Sequence, residues 1–329
     1  MQRREFIAGL GAASSAWPLA ARAQQDGLVR RIAVLSPYAE NDPQAKVYLS
    51  GFTQGLAELG WIEGRNLRID VRWAAGDQAR MYAKELVNLQ PDVILADLTP
   101  QTSALQRETR TIPIVFVVVS DPVGSGFVAG LPRPGGNITG FMPWEPTMAG
   151  KWLQQLTEIA PAVKRIAAVF NPDTAPYVTP YYLPSFEAAA RSLNVEPIMA
   201  PVRTDAEIET VISTLGGEPK GGFVTMPDAF TLSHRAAIIL LAARNNIPAV
   251  YQGSEFVRDG GLLSYGVNLV DIYHRSASYV DRILRGARPA DLPVQLPVKF
   301  EMAVNLKTAK TLGLTVPQSI LLRADEVIE

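Results

Sequence analysis

Residues 31–37 read RIAVLSP, and residues 165–172 read RIAAVFNP. In both, the apolar residues are consecutive rather than alternate, the pattern of a strand covered on both faces, as in a parallel sheet. Both runs end in a small polar residue followed by proline, Ser36-Pro37 and Asn171-Pro172. Beyond these strand ends, AVLSP and AVFNP, the two halves share no residue-level repeat. A strand of this kind needs helices on either side, so the segments that follow decide the fold. After the first strand, Asp42 is placed to cap and Pro43 to open a helix; Tyr48, Phe52, Leu56 and Leu59 line one face and Gly60 ends it. Strands NLRIDVRW (66–73), DVILA (92–96) and IPIVFVVV (112–119) then alternate with helical patterns, one with Tyr82, Leu86 and Leu89 in phase and one over roughly 101–109. This βαβα order predicts a parallel sheet with right-handed crossovers.

The pattern breaks at LPRPGGNITGFMPWEP (131–146) and then restarts. Helices are expected around 151–159, 183–193, 205–214 and 231–244, between strands RIAAVFN (165–171), EPIMAPV (196–202), GGFVTMP (221–227), IPAVYQG (247–253) and GLLSYGV (261–267). An amphipathic helix over 271–284, a Pro-rich connection DLPVQLPVKF (291–300) and a helix after Asn305 complete the chain. The predicted fold class is α/β, with two Rossmann-like lobes of parallel sheet joined by a multi-strand hinge. Lobe 1 is read as 29–141 plus 268–290 and lobe 2 as 142–267 plus 291–329, with hinges near 140–144, 266–270 and 288–292.

The chain has 329 residues, Lys+Arg 31 against Asp+Glu 32, and no Cys. Without a net basic field a polyanion has nothing to hold it, so nucleic acid is not an expected partner. Disulfides, thiolate metal sites and a lipid-anchored cysteine are excluded. The N-terminus, MQRREFIAGLGAASSAWPLAARAQQ, places Arg3-Arg4 before an uncharged run from Ile7 to Leu19 and ends in Ala21-Arg22-Ala23. The run is shorter than the about 20 residues a bilayer core needs, and the order of parts is that of a cleavable signal over residues 1–23. Arg3-Arg4 with Phe6 resembles the twin-arginine export signature, although Gln2 stands where Ser or Thr is usual. A soluble protein of the periplasm, free of any lipid anchor, is the expectation.

In open parallel sheets ligands bind beyond the carboxyl ends of the strands. Those ends read Ser36-Pro37-Tyr38, Leu98-Thr99-Pro100-Gln101 and Ser120-Asp121-Pro122 in the first half, and Asn171-Pro172-Asp173, Met226-Pro227-Asp228 and Gln252-Gly253-Ser254 in the second. Any one of these residues is explained equally well as a helix cap; six together suggest a polar groove between lobes. Tyr38, Tyr177, Tyr251 and Tyr265 are placed to add aromatic walls. Signals for catalysis are poor. His234 and His274 are far apart on helices, and G-x-S-x-G, H-E-x-x-H and P-loop motifs are absent. Gly124, Gly126 and Gly130 have the spacing G-x-G-x-x-x-G, and the next strand ends without the acid a ribose needs, which disfavours a dinucleotide. No catalytic residue, metal or cofactor is expected.

Three stretches carry a family resemblance: IPIVFVVVSDPVGSGFVAGLPRPGGNITG (112–140), GFTQGLAELGWIEGRNLRID (51–70) and LPVQLPVKFEMAVNLKTAKTLGLTVPQSILLRADEVIE (292–329). Together they closely resemble the ABC-transporter substrate-binding proteins whose better-known members bind tryptophan or tyrosine, with the type I periplasmic-binding fold. The resemblance runs from Arg31 to the C-terminus. It implies a monomeric two-lobed receptor that closes over a small molecule, an amino acid or aromatic acid by preference, and presents it to an inner-membrane ABC permease and its ATPase. Matching positions are Ser36 to Tyr38, Thr99 to Gln101, Ser120 and Asp121 in the first lobe, and Asn171, Asp173 and Asp228 in the second. Tyr177, Gly253 and Tyr265 complete the candidate ligand set. On this reading Thr99, Ser120 and helix N-termini hold a carboxylate, Asp121, Asp173 or Asp228 takes an ammonium, and Tyr38 or Tyr177 stacks on a ring. The alternatives are a sensory binding protein that feeds a receptor, and an α/β hydrolase with Asp121 or Asp228 as base.

Overall fold

The computed structural model describes residues 29–74, 78–217 and 220–329, so the expected signal over 1–23 lies outside the described residues. The first sheet contains β1 (Arg30–Ser36), β2 (Leu67–Trp73), β3 (Val93–Asp97), β4 (Ile114–Val117) and β5 (Ile138–Phe141), in the order β2-β1-β3-β4-β5 and parallel throughout. Alternate residues of the consecutive apolar runs go to opposite faces. Ala33, Leu35, Ile94, Ala96, Ile114 and Phe116 pack with Ala83 and Leu86 of α2 (Ala79–Asn88) and with Ala104 and Leu105 of α3 (Leu98–Glu108). Ile32, Val34, Val93, Leu95, Val115 and Val117 join the other core, with Phe52 and Leu56 of α1 (Pro43–Glu58).

The second sheet follows: β6 (Arg165–Phe170), β7 (Glu196–Pro201), β8 (Gly221–Thr225), β9 (Ala249–Tyr251), β10 (Leu263–Val267), β11 (Phe300–Asn305) and β12 (Glu326–Ile328), in the order β12-β11-β10-β9-β8-β6-β7. All its neighbours are parallel except β10 and β11. Its helices are α4 (Met148–Ile159), α5 (Leu183–Leu193), α6 (Asp205–Gly217), α7 (Ala229–Ser233), α8 (Arg235–Arg244) and α9 (Ser254–Arg258). Helix α10 (Leu269–Leu284) then returns to the first sheet and packs on α1, and α11 (Leu306–Thr311) and α12 (Gln318–Leu321) close the chain.

Three departures from the sequence reading have local causes. The helix expected over 231–244 is split at His234, where φ −100° and ψ 14° leave the helical region. The end of the Pro-rich connection is a strand, β11, because Pro297 lies before the ladder and FEMAVN is free of proline. Residues 292–295, expected in lobe 2, run beside β5 instead: Thr139 Oγ1 donates to Leu292 O at 2.6 Å, Gln295 N to Gly140 O at 2.9 Å and Met142 N to Gln295 O at 2.8 Å. The chain therefore passes between the sheets at 142–147, at Asn268 and at 296–299.

Helices α1 and α10 meet closely because α1 presents glycine at the contact. A Cβ on Gly55 would lie 2.5 Å from His274 O and 2.9 Å from Ala277 Cβ, whereas one on Gly136 would meet nothing within 4 Å. We expect Gly55→Val to lower unfolding stability by about 1–3 kcal/mol, the usual range for overpacking, and Gly136→Ala to stay within about 0.5 kcal/mol. Urea denaturation of the two variants checks this; equal midpoints would show that α10 docks without needing the close approach.

Candidate functional site between the sheets

Parallel strands deliver their carboxyl ends to one edge, and the two sheets turn those edges towards each other. The resulting cleft is lined by Tyr38, Leu98, Thr99, Val118 and Ser120 from the first sheet's loops and by Tyr177, Pro227, Asp228, Leu232, Gln252 and Glu255 from the second's. Trp144, on the first crossing segment, and Leu269, just after the second, complete the wall. The enclosed cavity is about 20 Å³, room for about one water. Small-molecule pockets run to about 300–1,000 Å³, so the cleft as it stands is too small to hold a solute.

Two of the wall residues have left-handed backbone, Leu98 at φ 70° and Val118 at φ 60°. For β-branched valine this is a strained geometry, costing roughly 1–3 kcal/mol, and such strain gathers at ligand sites. Both residues directly follow a strand, β3 or β4, and both face the cleft.

The polar groups fall into two classes. Some are fully engaged. Asp228 caps α7: its Oδ1 accepts from Phe230 N at 3.0 Å and from Thr174 Oγ1, and its Oδ2 accepts from Asn171 N at 2.8 Å and Thr231 N at 3.3 Å. Burial still pushes the Asp228 carboxyl above its ordinary range. Ser36 Oγ donates to Asp97 Oδ2 at 3.2 Å behind the wall, and Tyr177 OH donates to Pro227 O at 2.9 Å. Thr225 Oγ1 is bonded to Gln252 Oε1. Others have no hydrogen-bond partner: Thr99 Oγ1 and Trp144 Nε1 at the cleft, and Gln101 Oε1 and the second oxygen of Asp97, Oδ1, outside its lining.

Of the sequence-derived candidates, Tyr38, Thr99, Ser120, Tyr177 and Asp228 come together here. Ser36, Gln101, Asn171 and Gly253 sit just behind them, buried. Asp121 accepts from Gly124 N at 2.8 Å in its own turn, and Asp173 pairs with Arg203 at 3.1 Å on the surface. Tyr265 lies elsewhere, stacked on Phe300 with Lys151 above both rings. Sequence reasoning missed Trp144, Gln252 as a wall residue, and Glu255. Trp144 follows a strand-like run in a proline-rich stretch, and Glu255 stands on the five-residue α9, too short to leave a periodic signal. Among the described residues no group of three or more His, Asp or Glu could hold a metal, and no helix is long and apolar enough to cross a membrane.

Known proteins align with this arrangement. The family model described as ABC transporter substrate binding protein matches residues 31–328. A tyrosine-binding protein of Clostridioides difficile (strain R20291) is 27% identical over 266 residues, 80% of this chain and 76% of that protein. The structure of an ABC domain from Streptococcus pneumonia in complex with L-Trp is 26% identical, with TM-score 0.83, over 91% of this chain and 99% of that one. The ligand-free, open structure of a substrate-binding protein with adhesive properties from Clostridium difficile is 25% identical over the same shares, with TM-score 0.68. Identity is nearly equal in the two structures while the superposition differs, as expected where rigid lobes are set at different angles.

Burial also fixes how the cleft responds to pH. It pushes Asp97 and Glu255 up to about 7. Each acid therefore holds its proton more tightly folded than unfolded, and the stability this contributes is present in full below the ordinary carboxylate range and lost as pH rises through about 7. Asp70 and Glu158, held low by Arg31 and by Ser319 and Arg323, act below that window. The urea midpoint of the ligand-free protein should fall between pH 5 and pH 8 by the equivalent of roughly a few kcal/mol. Asp97→Asn combined with Glu255→Gln should flatten the profile; an unchanged profile would place the titrating groups elsewhere.

Proposed function

The chain belongs to the ABC transporter substrate-binding protein family, and from that membership we propose that it is an extracytoplasmic receptor for an aromatic amino acid, which it encloses between two lobes and delivers to a permease. The lobes divide at the three crossings, residues 29–141 and 268–295 forming one and 142–267 with 296–329 the other. The receptor acts as an exported monomer, and no bond is made or broken in the cleft.

The observation that carries this reading is the composition of the closed wall. Three rings, Tyr38, Trp144 and Tyr177, stand among buried hydrogen-bonding groups drawn from both sheets. Rings give a flat solute broad apolar contact. The unpartnered Thr99 Oγ1, with Ser120 beside it and the N-terminus of α3 directly behind, suits a carboxylate. Since each sheet supplies half of the wall, a solute touching both halves binds the closed form better than the open one and so drives closure. The tyrosine-binding relative and the L-Trp complex support the same class of cargo.

A thermal-shift panel of amino acids, aromatic acids, sugars and short peptides tests the proposal. A bound solute at ~100 times its dissociation constant adds about 2.7 kcal/mol, a rise of a few degrees. The rise is expected from L-tyrosine, L-tryptophan or L-phenylalanine, and Thr99→Val should weaken that binding about three- to tenfold through one lost hydrogen bond. A response to sugars with none to aromatic amino acids would overturn the assignment.

A further inference from the structure

Among the described residues, the cleft wall contains two carboxylates and no Lys, Arg or His. For a receptor of zwitterions this is an asymmetric arrangement: the negative end of the solute meets only neutral donors, and the positive end meets acids. The two acids are not equivalent. Asp228 receives hydrogen bonds from Asn171, Thr174, Phe230 and Thr231, which uses the roughly four acceptor sites of a carboxylate. Glu255 is 7% exposed and lines the same cavity, yet its carboxylate has only its own backbone N–H as a hydrogen-bonding neighbour.

The position of that carboxylate is built into the chain. It lies against Gly253, where a Cβ would come within 2.3 Å of Oε2 and 2.4 Å of Oε1. The ionised groups around it are committed to other partners. Arg235 on α8 pairs with Asp259 and Asp42, Arg258 on α9 pairs with Glu326, and Glu301 on β11 accepts from Ser254 and Asn268. The Tyr38 and Tyr48 hydroxyls face it from the first sheet's side, with burial and neighbouring acids holding both protonated. Glu255 is thus a buried acceptor with unused capacity, turned to the cavity and to the Tyr38 hydroxyl that shares its wall.

We propose that Glu255, seated on Gly253, receives the ammonium of the solute, and that the amine is the charge the receptor requires, so that it takes primary arylalkylamines as well as aromatic amino acids. This rests on the aromatic-solute reading and specifies its polar end. Losing the solute's carboxylate forfeits hydrogen bonds from uncharged donors. Losing its amine leaves a buried acid without its counter-ion and removes a charge-assisted bond, the stronger kind. Binding an ammonium also requires Glu255 to be ionised. Because burial holds it at about 7, binding at lower pH expels a proton.

Isothermal titration of the full mature protein with matched sets tests the proposal: L-tyrosine, tyramine and 3-(4-hydroxyphenyl)propionate, and L-tryptophan, tryptamine and indole-3-propionate. We expect the amines within ~30-fold of the amino acids and the deaminated acids at least ~300-fold weaker. Affinity for the amines should fall towards ~tenfold per unit as pH drops below about 7. Glu255→Gln should bind amines weakly and without that slope, Gly253→Ala should reproduce the loss by displacing the carboxylate, and Asp97→Asn should keep the slope. Deaminated acids binding as tightly as the amines would overturn this proposal while leaving the aromatic reading in place. Silence from all six compounds would remove both.

Discussion

The cleft is governed by one constraint: the polar ends of parallel strands, brought face to face, leave water together. A buried donor or acceptor without a partner costs about 1–3 kcal/mol, and a buried charge more. Most of the groups here solve this among themselves. Ser36 serves Asp97, Asn171 and Thr174 serve Asp228, and Thr225 serves Gln252. Of the buried groups left without a partner, Thr99 Oγ1 and Trp144 Nε1 face the cavity, as does the Glu255 carboxylate, while Asp97 Oδ1 and Gln101 Oε1 lie outside its lining.

The same residues connect binding to motion. Trp144 stands on the first crossing between the sheets and Leu269 directly after the second, so the wall includes one crossing segment and the start of the helix that follows another. Leu98 and Val118 turn the chain at left-handed backbone where β3 and β4 enter the cleft. On the proposed reading, a solute that presses on this wall acts directly on the segments that join the lobes, with no intermediate network required.

The fold was legible in the sequence because burial on both faces forces consecutive apolar residues, and the strand ends were legible because each pairs a small polar residue with proline or glycine, as in Ser36-Pro37 and Asp228 after Pro227. The site was legible only in part. Asp121, Asp173 and Asp228 read alike as acids at strand ends, and only the fold shows one in its own turn, one paired to Arg203 and one saturated by four donors. Glu255 has no local pattern; its place comes from Gly253 beneath it and the cavity it lines. Trp144 owes its place to the crossing, which a sequence pattern marks only as an interruption.

On the proposed reading, the contact between the lobes at the cleft's rim leaves most of the bias towards closure to the solute. Asp42 divides its carboxylate, Oδ1 accepting from Gln44 N at 2.8 Å as the cap of α1 and Oδ2 facing Arg235 Nη2 at 3.3 Å across the two lobes. Arg235 holds Asp259 of its own lobe more closely, at 2.8 Å. If the lobes part, Asp42 keeps its cap and Arg235 keeps its nearer partner, so neither charge is stranded. A pair whose partners both keep a second contact on opening contributes little to the bias, whereas moving a two-state equilibrium from one side to the other takes about 5.5 kcal/mol. The remainder must come from differential contact with a solute in the closed wall, and the unsatisfied groups there are the means of supplying it.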